Sequence, residues 1–315
     1  MGYTVGEKVA TRIAYGKALE EFGADERIVV LDADLSGSTK TSGFKKAYPE
    51  RFVNCGIAEG NMISVAAGIS TCGKIPFASS FAMFAAGRAF EQVRNSIGYP
   101  HLNVKIGATH AGISVGEDGA THQCLEDMGL MRTIPGMVIL NPADAVESRL
   151  AVKAAIDYEG PVYMRFGRLG VPVIFDDSYK FEIGKGVILK DGCDVTLIGT
   201  GLMTAEVIEA GKILAEQGIS ARVINMATIK PIDKEIIIKS AKETGAIVTA
   251  EEHNIIGGLG SAVAEVLCEN CPVPLKRVGT KDVFGRSGVP KTLLEMYGLD
   301  AKTIVESAKA AIAMK

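Results

Sequence analysis

An α/β fold is what this sequence predicts: two open, mostly parallel sheets, each with helices on both faces. Three observations lead there. Short apolar runs, such as 104–108, 195–199 and 221–225, alternate with longer amphipathic stretches, the order that builds βαβ units. Polar and titratable residues follow several of those runs closely, and in open α/β sheets ligands bind outside the carboxyl ends of the strands. The interval 167–192 is turn-rich and poorly periodic, and it divides the series. At 315 residues the chain has room for two domains. We expect the first over residues 1–175, a linker over 176–192, and a smaller α/β domain over 193–315.

Taken in order, 7–21 patterns as an amphipathic helix and 28–31 as a strand. The strand runs into Asp32-Ala-Asp34-Leu-Ser36-Gly-Ser38-Thr, which on composition is a solvated turn. A strand at 52–55 precedes a helix that begins near Glu59 and keeps an apolar face through Ile69. A carboxylate in a first helical turn normally offsets the macrodipole. Ile57, Ala58, Met62 and Ile63 surround Glu59, however, and a desolvated carboxyl holds a proton more readily. After the strand 75–79 come Phe81, Phe84 and Phe90, which suit either a core face or a stacking platform for a flat heterocycle.

The run 104–108 feeds a Gly-rich loop, Thr109 to Gln123, that holds His110, Glu117, Asp118 and His122. A turn at Asp118-Gly119 and ordinary surface histidines would explain each residue singly. Together they suit proton transfer and hydroxyl recognition. A helix starts near Leu125, a strand covers 135–140, and Asn141-Pro-Ala-Asp144 caps a helix reaching Asp157. Arg165 and Arg168 end the next strand.

In the second half, strands at 195–199, 221–225 and 246–250 alternate with helices at 205–217 and 234–244, and further helices cover 261–269 and 301–313. Gly199-Thr-Gly201 lacks the third glycine of a dinucleotide site, and the following strand ends without a ribose-binding acid. Gly257-Gly-Leu-Gly260 has no patterned strand immediately before it, so neither cluster is expected to bind a nucleotide.

The net charge is only −3 and no basic run stands out, which argues against nucleic acid as a partner. The first residues have no apolar signal core, Gly6 stands where a myristoylation signal has Ser or Thr, and no apolar run approaches a membrane span. A cytoplasmic protein without membrane attachment is the expectation. Cys268 and Cys271 form a lone C-x-x-C among six cysteines, and the four histidines are spaced wrongly to complete a zinc site. Reduced structural thiols, and no metal held by this chain alone, are expected.

Thr109-His110 and Gly116-Glu-Asp-Gly-Ala-Thr-His-Gln123 together resemble the substrate loop of transketolases. The resemblance covers essentially the whole chain but only half of a complete transketolase, and implies a pyrimidine-binding domain followed by a transketolase C-terminal domain. Gly56-x-x-Glu59 resembles the activating-Glu motif. It implies that Glu59 hydrogen-bonds the aminopyrimidine of thiamine diphosphate and promotes the tautomer that generates the reactive carbon. Phe81-x-x-Phe84 matches the pair that clasps this ring; Gly87 replaces a Tyr found in many members, so Phe90 substitutes or the pocket is more open. In Asp34-Leu-x-x-Ser38, the resemblance places Asp34 near the cofactor and Ser38 on the sugar phosphate. Arg12 and Arg168 are implied to meet the same phosphate, a task that the planar guanidinium fork suits. His110 and His122 are implied to face the sugar's first hydroxyl, its carbonyl or its phosphate side, and Asp118 to recognise a hydroxyl. Histidine ordinarily titrates near neutrality, as proton transfer during carbon–carbon cleavage requires. Glu251-Glu-His-Asn and the glycines after it resemble the C-terminal domain, which is expected to serve mainly assembly, with His253 structural.

The other half of a transketolase binds the diphosphate through Mg²⁺ with Gly-Asp-Gly and a later Asn. This chain offers only Glu117-Asp-Gly119 and Lys190-Asp-Gly192, without the Asn pattern. The resemblance therefore implies an N-terminal, diphosphate-binding partner subunit that holds most of the Mg²⁺ site, in an α2β2 assembly. The implied reaction moves a two-carbon ketol unit from a ketose phosphate to an aldose phosphate. The alternatives are half of a 1-deoxyxylulose-5-phosphate synthase, whose loop usually reads Gly-Ala-Asp-Gly, the beta subunit of a 2-oxoacid dehydrogenase, or a non-catalytic scaffold.

Overall fold

Apolar runs fold here as strands whose carboxyl ends share one edge. The structure, a computed structural model, describes residues 2–315. The first half begins with β1 (Lys8–Ala10), α1 (Thr11–Phe22), β2 (Ile28–Asp32), α2 (Ser36–Thr39), α3 (Ser42–Ala47) and β3 (Phe52–Asn54). Next come α4 (Glu59–Ser70), β4 (Ile75–Phe81) and α5 (Phe90–Gln92), the last flanked by π-helical turns at Met83–Arg88 and Val93–Gly98. Then follow β5 (Lys105–Thr109), a 3₁₀ segment (Ile113–Asp118), α6 (Asp127–Arg132), β6 (Val138–Leu140), α7 (Ala145–Asp157), β7 (Val162–Arg165) and β8 (Gly170–Pro172). The second half holds β9 (Val187–Lys190), β10 (Val195–Gly199), α8 (Met203–Glu216), β11 (Ala221–Asn225), β12 (Thr228–Lys230) and α9 (Lys234–Thr244). It closes with β13 (Ile247–Asn254), α10 (Leu259–Asn270), β14 (Leu275–Thr280), α11 (Pro290–Met296) and α12 (Ala301–Ile312).

Seven strands form one sheet in the order β12-β6-β7-β5-β4-β2-β3, and five form another, β14-β13-β10-β11-β9. Within these two sheets, among the described residues, only β12 and β9, each an edge strand, run antiparallel. Central strands are apolar on both faces because helices cover both. Val30 and Phe77 pack with Leu19 of α1 and Val152 of α7, whereas their neighbours Leu31 and Ala78 pack with Met62 and Ile63 of α4. In the second sheet Leu197 meets Val207 of α8 and Ile304 of α12, while Ile198 faces the side of Ile237 and Val263.

Several expectations need correction. Residues 8–10 do not belong to the first helix: they pair antiparallel with β8, Lys8 opposite Pro172, and the helix starts at Thr11. The interval 176–192 is not wholly linker, since β9 lies in it and pairs with β11. From the second half of the chain, β12 crosses to extend the first sheet beside β6. The strand expected at 246–250 continues to Asn254, so a strand does end shortly before the glycine cluster at 257–260. Long-range pairing decides these points, and local periodicity does not encode it. All six cysteines are free, and among the described residues no helix is long and apolar enough to cross a membrane.

Candidate active site

After β2 the chain crosses outward to β3 and then returns past β2 to β4. The carboxyl ends of β2 and β4 therefore open a crevice at a topological switch point, where such sheets bind ligands. The segment bearing Asp34 and Ser38 follows β2, Glu59 follows β3, Phe81 ends β4, His110 follows β5, and Arg168 follows β7. Arg12 reaches the same end from the first turn of α1.

Buried Asp32 shapes the segment after β2 by accepting bonds from the Leu35 amide (2.6 Å) and the hydroxyls of Thr39 (2.7 Å) and Thr41 (2.9 Å). Arg12 Nη1 donates to the Ser38 carbonyl at 2.6 Å, which joins those two residues. Burial lowers the Arg12 pKa and Arg168 adds repulsion. Lys40 takes a left-handed backbone (φ 70°) against α1, where a Cβ on Gly16 would overlap the Lys40 carbonyl. Asp34 is exposed and accepts from Asn54 Nδ2 at 2.9 Å; no hydrogen bond among the described residues ties it to Glu59.

Glu59 is the first residue of α4 and is 1% exposed. Its Oε2 lies 2.7 Å from Arg88 Nη1, and Ser80 Oγ stands 3.5 Å from Oε1. The side chain of Arg88 is 51% exposed, and its guanidinium lies over the Phe84 ring at 4.5 Å. It ends the π-helical turn Met83–Arg88, an irregularity frequent at functional sites. Phe81 and Phe84 stack with centroids 5.8 Å apart and planes 16° from parallel. Phe90 is partly buried against the core, and Arg88 covers Phe84.

His110 adopts φ 57°, bonds Thr109 Oγ1 through Nδ1 at 2.9 Å, and stacks on Phe81 at 3.8 Å. Burial pushes its pKa down to about 3, and Arg12, Arg168, Lys40 and His122 add repulsion. Burial thus favours its neutral, hydrogen-bonding form, and the surrounding cations oppose protonation further, away from the ordinary range of histidine. His122 meets Phe84 edge-on at 5.3 Å and pairs with Thr121 Oγ1 at 2.9 Å. Arg168 donates to the Val115 carbonyl and to Glu117 Oε2 (2.9 Å), fastening the loop. Asp118 is exposed on the loop's rim. Glu59, Phe81, Phe84, His110 and His122 thus form one cluster, Arg12 and Ser38 a second contact, and Asp34 and Asp118 stand apart.

In this cluster Phe84 and His122 are partly exposed, and Glu59, Phe81 and His110 are buried. Hollows of about 500 Å³ beside Phe284 and beside Arg222 involve none of its residues. Among the described residues no group of three or more His, Cys, Asp or Glu could hold a metal ion. A buried carboxyl beside stacked aromatic faces suits a flat aminopyrimidine.

Residues 7–173 match the transketolase pyrimidine-binding domain, and residues 184–304 match the transketolase C-terminal domain. The chain belongs to the transketolase family. It is 58% identical to a split-gene transketolase solved as an inactive β4 tetramer, with a TM-score of 0.91 over 98% of this chain and 99% of that one. A 6-deoxy-6-sulfo-D-fructose transketolase subunit of Clostridium sp. is 47% identical over 92% of this chain and 90% of its own. Rat transketolase is 39% identical over 98% of this chain but only 50% of its own length. The chain is thus the C-terminal subunit of a split transketolase, an enzyme that works with a partner subunit, in a family that depends on thiamine diphosphate.

Sequence reasoning gave no role to Arg88, Lys40 or Glu252. Arg88 directly follows Gly87, the position of the absent Tyr, and the π turn brings it to Glu59.

Proposed function

We propose that this chain supplies the pyrimidine side of a transketolase site shared with an N-terminal subunit. The observation that carries this reading is the buried Glu59 carboxyl beside the stacked rings of Phe81 and Phe84, with no metal-holding group of side chains among the described residues. Thiamine diphosphate bound there would supply the nucleophilic carbon that cleaves a ketose and carries its two-carbon fragment. Glu59 hydrogen-bonds the aminopyrimidine ring once Arg88 turns aside, while Phe81 and Phe84 hold the ring's faces. Neutral His110 and its neighbour His122 hydrogen-bond the donor sugar's oxygens, and Asp118 reads a hydroxyl from the rim. Arg12, Ser38 and Arg168 anchor the sugar phosphate; Asp34 borders the cofactor.

The partner subunit holds Mg²⁺ and the diphosphate in an α2β2 assembly, and the cytoplasm and pentose phosphate metabolism are the proposed setting. A β4 tetramer described as inactive, for a relative 58% identical, supports the need for a second kind of chain. Mixing this chain with its N-terminal partner should produce ketol transfer between xylulose 5-phosphate and ribose 5-phosphate, and neither alone should. Consumption of pyruvate in place of the sugar donor would overturn the reading.

A further inference from the structure

The loop that carries both histidines is held by the other domain. Within it four residues have left-handed backbone: His110 (φ 57°), Gly112 (87°), Gly116 (86°) and Gly119 (76°). A segment with so little regular pairing takes its shape from outside contacts. Glu252, on β13 and 3% exposed, accepts the Ser114 amide at Oε1 over 2.6 Å. A Cβ at Gly112 would overlap the Glu252 carboxyl, which therefore lies directly under the loop. Gln123 Nε2 bridges the Ile113 carbonyl (3.0 Å) and the Arg286 carbonyl (2.9 Å), closing the loop's far end on the same domain. Glu252 is itself fixed, because Arg165 Nη2 donates to its backbone carbonyl at 2.9 Å while Arg165 Nε binds Asp127 at 2.9 Å.

Thr109 and Phe81 hold the His110 ring from the first domain, and Glu252 holds the chain four residues further on. We propose that Glu252 is a positioning residue for ketol transfer, setting through Ser114 where His110 presents its imidazole to the donor sugar. This rests on the function proposed above and assigns the C-terminal domain a part in the chemistry beyond assembly. Ser114 needs an acceptor at this point, not a charge, and burial favours the neutral carboxyl over the opposing pull of Arg165. A glutamine should therefore serve where an alanine does not.

The test uses the assembled two-chain enzyme. Glu252→Ala should lower kcat/KM for the donor by about 10- to 100-fold, the effect of a slightly misplaced group. Affinity for thiamine diphosphate should stay unchanged, and amide exchange should quicken selectively over residues 110–123. Glu252→Gln should recover most of the lost kcat/KM. An alanine variant with unaltered kcat/KM and exchange, or alanine and glutamine variants equally impaired, would overturn the assignment. If the unmodified assembly shows no ketol transfer, the functional reading fails. Loop exchange in Glu252→Ala would still show whether Glu252 holds the loop.

Discussion

Among the buried carboxylates at helix starts, Glu59 at α4 and Glu251 beside α10 differ in what holds them. Glu251 is fully buried and spends both oxygens on its own backbone, accepting the amides of Leu259 (2.7 Å) and Gly260 (2.8 Å). A glycine-rich helix start would otherwise be a ready anion site; here the chain's own carboxylate already fills it. Glu59 has instead a side-chain partner, the half-exposed Arg88, at the edge of an aromatic shelf. An arginine side chain can swing away and yield its place to a ligand, whereas helix amides cannot leave without unwinding the helix. The same residue type in similar local settings is thus available for chemistry in one place and closed into structure in the other.

Glu59→Gln is the most direct way to break that comparison. In the assembled enzyme it should cut kcat by about 10²–10⁴-fold, the usual worth of a positioned proton-handling group, with folding and subunit association intact. Near-normal turnover would remove Glu59 from its role. Glu251→Ala should do the reverse. It leaves two buried amides without acceptors, at a cost of about 2–4 kcal/mol in urea unfolding, with kinetics per folded molecule unchanged. A loss of activity at full stability would mean that the two carboxylates had been assigned the wrong way round.

A smaller effect sharpens the contrast through pH. His110 has its folded pKa depressed from 6.5 to about 3, so its neutral form is favoured on folding. Its contribution is fully present above about pH 6.5 and is lost as pH falls towards 3, because the unfolded chain takes up the proton first. His110→Asn tolerates the left-handed backbone and should flatten the loss of stability between pH 7 and pH 5 in denaturant titrations. An unchanged acid slope would show that this imidazole does not titrate as its burial and the neighbouring cations require.

Much of this architecture was legible in the sequence. The strands 195–199 and 221–225 and the helix 234–244 appear with the limits their sequence pattern implies, because strands covered on both faces are mostly apolar and this helix is amphipathic. Elements held by distant pairing were not legible: β1 needs β8, β9 needs β11, and β12 needs β6. The same division runs through the candidate site. Glu59, Phe81, Phe84 and the two histidines stand in motifs that resemble the family's, so the resemblance points to them. Arg88 and Glu252 do not, since their partners, Glu59 and Ser114, lie 29 and 138 residues away.

By itself the sequence determined the α/β class, the family and the residue types at the cleft, because periodicity and motif spacing are local properties of the chain. Tertiary structure alone decided that burial disfavours a charged His110, that Glu251 is held by helix amides while Glu59 is held by a half-exposed arginine, and that the second domain grips the histidine loop. Burial and partnership depend on what the fold brings close, and no local pattern carries that information.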